Sequence, residues 1–286
     1  MKDLAGKTAV ITGAASGMGF AMAERFAAAG MRIVMTDIER EALQQAEKKL
    51  RTKKAETFAV VRDVSDRASV EALKEAALER FGAVHLLCNN AGVFSAARVW
   101  ETSEEVWKWI FGVNVWGVVH GISVFLPLLL AQNEGHVVNT ASVSGLLTAP
   151  LLGAYNASKH AVVGISETLY HELAMADTRV GVSVLCPGGV NTNIFTAERN
   201  WPDHFGDKPV SGLGTGVQTA SGVSETMMAP AAVAEMVHDA VVHEQFWILT
   251  HPDMAAGVVP RYQQALRAEN PSIASLGALG DLGGAK

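Results

Sequence analysis

The sequence predicts an α/β protein: one domain built on a doubly wound parallel sheet of about seven strands, with helices on both faces. Three observations carry this. Short β-branched runs alternate with helical stretches along residues 8–250. Several of those runs are apolar throughout, as strands covered on both faces are. Glycines and polar residues gather where the runs end, which is where such sheets hold ligands.

The first strand is Thr8-Ala9-Val10-Ile11-Thr12. Gly13-Ala14-Ala15-Ser16-Gly17-Met18-Gly19 follows and opens an alanine-rich helix over 20–29, closed by Gly30. Glycines let a backbone pass close to a ligand, and the free amides of a helix start attract phosphate. Alone, such a cluster is equally an ordinary tight turn. The second strand, 32–36, ends in Asp37, about 20 residues beyond the turn, where an acid can bind both ribose hydroxyls of an adenine nucleotide. A 2′-phosphate there would face a like charge. The nearby positions hold Ser16 and Ile38, and the nearest cation in sequence is Arg40. The expected cofactor is therefore NAD rather than NADP. Capping of a helix near Glu39 by Asp37 is compatible with that role.

Helices over 39–51 and 66–81 flank a strand at 57–61, which Asp63-Val64 follows. A fourth strand, 84–88, runs into Asn89-Asn90-Ala91-Gly92. Thr102-Ser103-Glu104-Glu105 is a capping box. It opens a long helix reaching about residue 130, which Pro127 should end or kink near its last turn. Trp107, Trp109, Phe111 and Trp116 on this helix suit core packing or a subunit interface. Asn114, polar in an apolar run, is either a structural hydrogen-bonding node or a site residue.

The fifth strand, 135–141, delivers Ser142. Tyr155 and Lys159 follow on a helix running to about 175; four residues apart, they share a face about one turn from each other. The sixth strand, 179–186, is left by Pro187-Gly188-Gly189-Val190-Asn191-Thr192. From 193 to 228 no period is visible, as in a substrate lid. A helix at 230–243, with its proline in the first turn, a strand at 246–250 and a helix within 252–267 complete the domain, 1–267. The end, 268–286, is small and glycine-rich and is expected to be poorly ordered.

Of the 286 residues 49% are apolar and 18% charged, enough for a sizeable core. A net charge of −6 argues against non-specific nucleic-acid binding. Two cysteines, Cys88 and Cys186, suggest a reducing compartment and no disulfide framework. No signal-peptide pattern opens the chain, and the apolar stretch 118–131 is too short to span a bilayer. No residue cluster has metal-ligand spacing. The expectation is a soluble cytoplasmic protein that binds no nucleic acid, membrane or metal.

Taken together these residues resemble the short-chain dehydrogenase/reductase family, up to about Thr250. Thr12-Gly13-x-x-x-Gly17-x-Gly19 is similar to its cofactor turn, Asp63-Val64 to its adenine contact and Asn89-Asn90-Ala91-Gly92 to its central-strand motif. Pro187-Gly188-x-Val190-x-Thr192 is similar to the segment holding the nicotinamide amide, and Asn114, Ser142, Tyr155 and Lys159 to the catalytic tetrad. The motifs occur in the family's order. The resemblance implies a Rossmann-type fold, with NAD held by these segments including Ser16, Met18, Asp37, Ile38, Ala91 and Gly92. It makes Tyr155 the general acid/base, Lys159 its partner and a ribose ligand, Ser142 the holder of the substrate oxygen, and Asn114 the anchor of a proton-relay water. A free tyrosine has a pKa of about 10, and a cation near 4 Å contributes about 4 kcal/mol, roughly three pKa units. Lys159 together with the positive nicotinamide would bring Tyr155 toward neutrality.

The substrate pocket is expected along 93–99, 144–152, Gly188-Gly189 and the lid. Phe94, Leu146, Leu147, Leu151, Leu152, Ile194 and Phe195 favour a bulky apolar secondary alcohol or ketone. Arg98, Arg199 and Lys208 could meet a substrate carboxylate, but are read chiefly as solvated surface charges. The lid and residues 247–252 faintly resemble the family branch that oxidises benzylic alcohols of lignin-derived aryl ethers; a steroid or terpene alcohol is equally admissible. An NADPH-dependent ketoreductase and a non-catalytic NAD-sensing protein are the alternatives. Family resemblance also implies a homotetramer or homodimer.

Overall fold

The structure is a computed structural model describing residues 1–209 and 227–272. Seven parallel strands form one sheet in the order β3-β2-β1-β4-β5-β6-β7. They are β1 (Thr8–Thr12), β2 (Arg32–Asp37), β3 (Thr57–Val61), β4 (Leu86–Asn89), β5 (Gly135–Thr140), β6 (Val180–Cys186) and β7 (Trp247–Leu249). The order reverses between β1 and β4, which pair with each other through Ala9, Val10 and Ile11, β2 lying on the opposite edge of β1. That reversal opens a crevice at the carboxyl ends of the central strands. Every residue of β1, β4 and β5 is buried, which is why these runs are apolar on both faces.

Helices cover both sides. On one, α1 (Gly17–Ala28), α2 (Arg40–Thr52) and α7 (Pro230–His243) enclose a core with Met22, Phe26, Ile33, Leu43 and Val237. On the other, α3 (Arg67–Phe81), α5 (Gly117–Gln132) and α6 (Gly153–Met175) enclose Leu73, Leu87, Phe125, Val137 and Leu169. Burying each such large side chain contributes roughly 1.5–3 kcal/mol. A polar thread crosses between layers: Asn89 Nδ2 donates to Asn139 Oδ1 at 2.9 Å, and Asn139 Nδ2 to Ser166 Oγ at 3.0 Å. It ties β4, β5 and α6 together, the elements that carry Asn90, Ser142 and Tyr155.

Several local expectations change. The long helix from Glu104 is not broken at Pro127, which lies inside α5 while the helix continues to Gln132. Its irregularity is earlier, a π turn at Gly112–Trp116 between α4 (Glu104–Phe111) and α5. The continuous helix 104–132 is long and apolar enough to cross a membrane by length and composition, longer than the apolar run suggested. Here it packs against α3 and the sheet. The stretch after β6 is not without structure: 3-10 turns occupy Asn193–Asn200 and Asp203–Phe205. Residues 210–226 of the expected lid and 273–286 of the expected tail lie outside the described residues. The last helical stretch is two pieces, α8 (Pro252–Ala255) and α9 (Val258–Leu266).

Candidate active site

A cavity of about 780 Å³ runs along the carboxyl ends of the strands. At one end is the glycine turn. Gly17 has φ +53°, a conformation that favours glycine. Gly19 does not line the cavity; a Cβ there would strike the Gly13 carbonyl, so this glycine serves the close packing of α1 on β1. Ser16, the N-cap, makes no side-chain capping bond. Among the described residues no acceptor meets the amides of Gly17, Met18 and Gly19, the orphan donors of a helix start.

Asp37 closes this end. Its Oδ2 accepts from the Ala15 N–H and its Oδ1 from the Glu39 N–H, both at 3.0 Å. Burial pushes its pKa up, against the lowering effect of those bonds. Asp37 thus fixes the turns after β1 and β2 to each other. Asp63 accepts from the Ser65 N–H and hydroxyl and lines the cavity with Val64. Asn90 gives its Nδ2 to the Thr12 carbonyl at 2.9 Å, while its Oδ1 is buried without a partner. Ala91 and Gly92, and across the cleft Pro187, Gly188, Val190 and Thr192, complete this part of the lining.

Ser142, Tyr155 and Lys159 meet at the other end. Ser142 Oγ accepts from the Ser144 N–H and faces the Pro187 carbonyl at 3.3 Å. Lys159 is 3% exposed and donates to the Thr140 carbonyl at 2.9 Å. Its Nζ is 5.6 Å from the Tyr155 ring centroid. Burial pushes Lys159 down to about 8 and Tyr155 up to about 12, the Ser142 hydroxyl offsetting the latter only in part. At the phenol, burial outweighs the hydrogen bond of Ser142.

Asn114 lies in the π turn, buried, behind this pair rather than on the cavity wall. Its Oδ1 accepts from the Val93 N–H at 2.8 Å, and its Nδ2 donates to the Val93 carbonyl and to Ser158 Oγ. Ser158 in turn donates to the Tyr155 carbonyl at 2.8 Å. Asn114 is a clamp joining the segment after β4 to α6. Asn114→Ala is expected to lower stability by about 3 kcal/mol, since it strands buried groups of Val93 and Ser158; a thermal or urea midpoint equal to wild type would contradict this.

The remaining wall is apolar. Phe94 packs edge-on against Tyr155 at 5.1 Å and Phe195 at 5.4 Å. Trp109 stacks edge-on against Trp201 at 5.2 Å, so the α4 aromatics belong partly to the site. Leu152, Ile194, Phe205, Met227 and Met254 also contribute. Leu146, Leu147 and Leu151 do not: Leu147 is fully buried, Leu146 packs beside Trp247, and Leu151 adopts φ +67°. Of the three expected charges only Arg199 reaches the cavity, at the Asp37 end. Its Nη2 and Nε bond Glu39 Oε1 at 2.7 and 3.0 Å, and Asn200 Nδ2 bonds the same oxygen at 2.9 Å. Burial raises the Glu39 pKa, but these bonds hold it below the usual range overall. Arg98 instead pairs with Glu101, and Lys208 is exposed away from the cavity. Glu39, Ser158, Trp109, His204 and His251 carry no local motif that would have marked them in the sequence.

The model of the short chain dehydrogenase family matches residues 7–203. With that span, the sheet order and the cavity, the chain belongs to the short-chain dehydrogenase/reductase family. It is similar to a short-chain dehydrogenase/reductase of Burkholderia phymatum crystallised in complex with NAD: 47% identity, TM-score 0.91, covering 95% of this chain and 98% of that one. The CLA biosynthesis dehydrogenase/reductase of Lactiplantibacillus plantarum is 32% identical over 279 residues, 96% of this chain and 98% of its own. The 1-deoxy-11-beta-hydroxypentalenate dehydrogenase of Streptomyces avermitilis is 36% identical over 249 residues, 86% and 85% respectively.

Proposed function

We propose that this protein transfers a hydride between NAD and a bulky, apolar secondary alcohol or ketone. The observation that carries the reading is one continuous cavity. Asp37 and the glycine turn line one part, and Ser142, Tyr155 and an aromatic wall line the other. The residues suit a dinucleotide: the orphan amides at the start of α1 would hold its pyrophosphate and Asp37 its ribose, and Asn90 Oδ1, buried without a partner, is a further acceptor on the same cavity. Asp37 and Glu39 put two carboxylates at the ribose end. Two arginines line the cavity near them: Arg199 is held by Glu39, Asn193 and Thr196, and Arg62 gives Nη1 to the Val61 carbonyl while its Nε is buried without a partner; Arg40 is off the cavity. Two carboxylates at this end oppose a 2′-phosphate, and the Burkholderia relative's complex contains NAD.

The bound cofactor supplies the hydride chemistry. For oxidation the chain's tasks are to hold the alcohol oxygen at Ser142 and to take its proton on the Tyr155 oxygen as the carbon-bound hydrogen leaves as hydride. Reduction runs the same proton the other way. Tyr155 must be ionised for oxidation, and its phenol needs a cationic neighbour beyond Lys159; an oxidised nicotinamide carries that charge. Asn114 and Ser158 keep α6 and the segment after β4 in register. Phe94, Trp109 and Phe195 exclude water and select apolar substrates. The hydroxylated substrate named for the Streptomyces relative fits that selection. Exposed Trp116, Tyr170 and Met175 on or beside α5 and α6 support a homo-oligomer built there, and the free buried thiols of Cys88 and Cys186 support a cytoplasmic location.

The test is absorbance of reduced nicotinamide with a panel of apolar secondary alcohols, each with NAD⁺ and NADP⁺. Turnover with NAD⁺ at a kcat/KM at least about tenfold above that with NADP⁺ is expected, a difference of about 1.4 kcal/mol. Asp37→Ser should narrow the ratio. A preference for NADP⁺ would make the protein a ketoreductase of the NADPH type. Tight NAD binding with no turnover of any alcohol would make it a nucleotide sensor.

A further inference from the structure

His251, just beyond β7, lines the same cavity. Its Nδ1 is turned into the protein. The Gly188 N–H donates to it at 3.2 Å, and the buried Thr250 hydroxyl lies 2.7 Å away. The Gly188 N–H also reaches Thr250 Oγ1, at 3.1 Å. A proton on Nδ1 would set donor against donor at Gly188, so Nδ1 is the acceptor and the ring carries its hydrogen on Nε2. Among the described residues Nε2–H has no partner. The ring cannot shift freely. It sits against Gly188, where a Cβ would come within 2.7 Å of the ring and of Met254 Sδ. The same cavity carries the apolar side chains of Phe94, Trp109, Leu152, Ile194, Phe195 and Met254, beside which an oriented N–H can fix a substrate oxygen.

We infer that His251 is a specificity-determining residue: its Nε2–H donates a hydrogen bond to a second oxygen of the substrate, remote from the reacting carbinol. The substrate class is thereby narrowed to apolar secondary alcohols bearing a further oxygen acceptor. This rests on the alcohol/ketone reading above. The recognition is directional because the Nδ1 bonds fix which nitrogen carries the hydrogen.

The test uses the full-length protein and aryl methyl ketones carrying a methoxy group at the ortho, meta or para position, each matched with its ethyl isostere. Binding is measured by calorimetry with the protein saturated with NADH, and turnover is measured separately. Wild type is expected to bind at least one methoxy ketone about tenfold more tightly than its isostere, the size of one directed hydrogen bond. In His251→Asn the amide oxygen stands in for Nδ1 while the remote donor is lost, so the preference should fall to about one. In His251→Gln the amide can restore a donor near the Nε2 position, and the preference should return in part. Equal binding of every matched pair by wild type would overturn the inference, as would a preference that survives in the Asn variant. If binding shows the His251-dependent preference but no ketone is reduced, the reaction proposed above fails and the recognition stands. Turnover without the preference is the reverse case.

Discussion

Tyr155→Phe is expected to lower kcat/KM for alcohol oxidation by about 10³, within the range of a lost general acid/base. The fold should not notice. The ring's packing is edge-on against Phe94 and does not depend on the hydroxyl, whose recorded neighbour is Ser142. NADH affinity should therefore be largely retained, which fluorescence titration would show. The pH profile gives a second reading. Burial holds the free phenol up near 12, so wild-type oxidation should accelerate as pH rises through the range in which the cofactor-bound phenol ionises. The residual rate of the Phe variant should lack that limb. Near-normal turnover in the variant would move the proton transfer to another group.

Lys159→Met is expected to abolish useful turnover while raising stability at pH 7. Burial depresses the Lys159 pKa from 10.5 to about 8. Below pH 8 the ammonium is charged in both folded and unfolded states, and the folded state bears its full desolvation cost, about 3 kcal/mol for a shift of that size. Between 8 and 10.5 the unfolded chain binds more protons than the native one, so this group makes stability rise with pH. Tyr155, shifted from 10 to about 12, does the opposite: it makes stability fall with pH between those values. The difference between wild type and the Met variant should therefore shrink from pH 8 upward. Loss of the bond to the Thr140 carbonyl subtracts from the gain, leaving about 1–3 kcal/mol, or several degrees in Tm. Thermal melts of both proteins from pH 7 to 10 would check this. A destabilised Met variant at pH 7 would mean that the ammonium's bonds outweigh its burial.

The sheet was legible because β1, β4 and β5 are buried on both faces and so carry apolar residues on both, with their polar residues buried as well. The nucleotide end was legible because its residues follow strands directly, so that sequence spacing maps onto space. Elsewhere spacing stops mapping. Glu39 and Arg199 meet across 160 positions, and His251 reaches Gly188 across 63. Nothing local announces either contact. The run 146–152 reads as apolar lining, yet its backbone turns Leu147 inward and leaves only Leu152 of those leucines at the cavity. A loop without a period gives no rule for which side chains face a ligand. The rise that burial imposes on Tyr155 was hidden for another reason: charge is visible in a sequence, while the loss of water around a phenol is visible only once the chain has folded.

The π turn at Gly112–Trp116 bears on how one helix can work for two masters. An i→i+5 turn inserts one residue into the 3.6-residue repeat, which is a phase slip of about 100°. Before the slip, Val106, Trp109 and Ile110 face the substrate wall; after it, Val124, Phe125 and Leu129 face the sheet. A straight α-helix with this composition would have one apolar stripe aimed along one line. With the slip, the stripe is two stripes, each set square to its own neighbour, and the offset is spent at Asn114, the buried side chain of the turn. Chain length in this short segment is therefore as constrained as chemistry. A substitution that keeps the helical backbone leaves the two stripes where they are, but removing one residue would turn the site half of the helix against the sheet half.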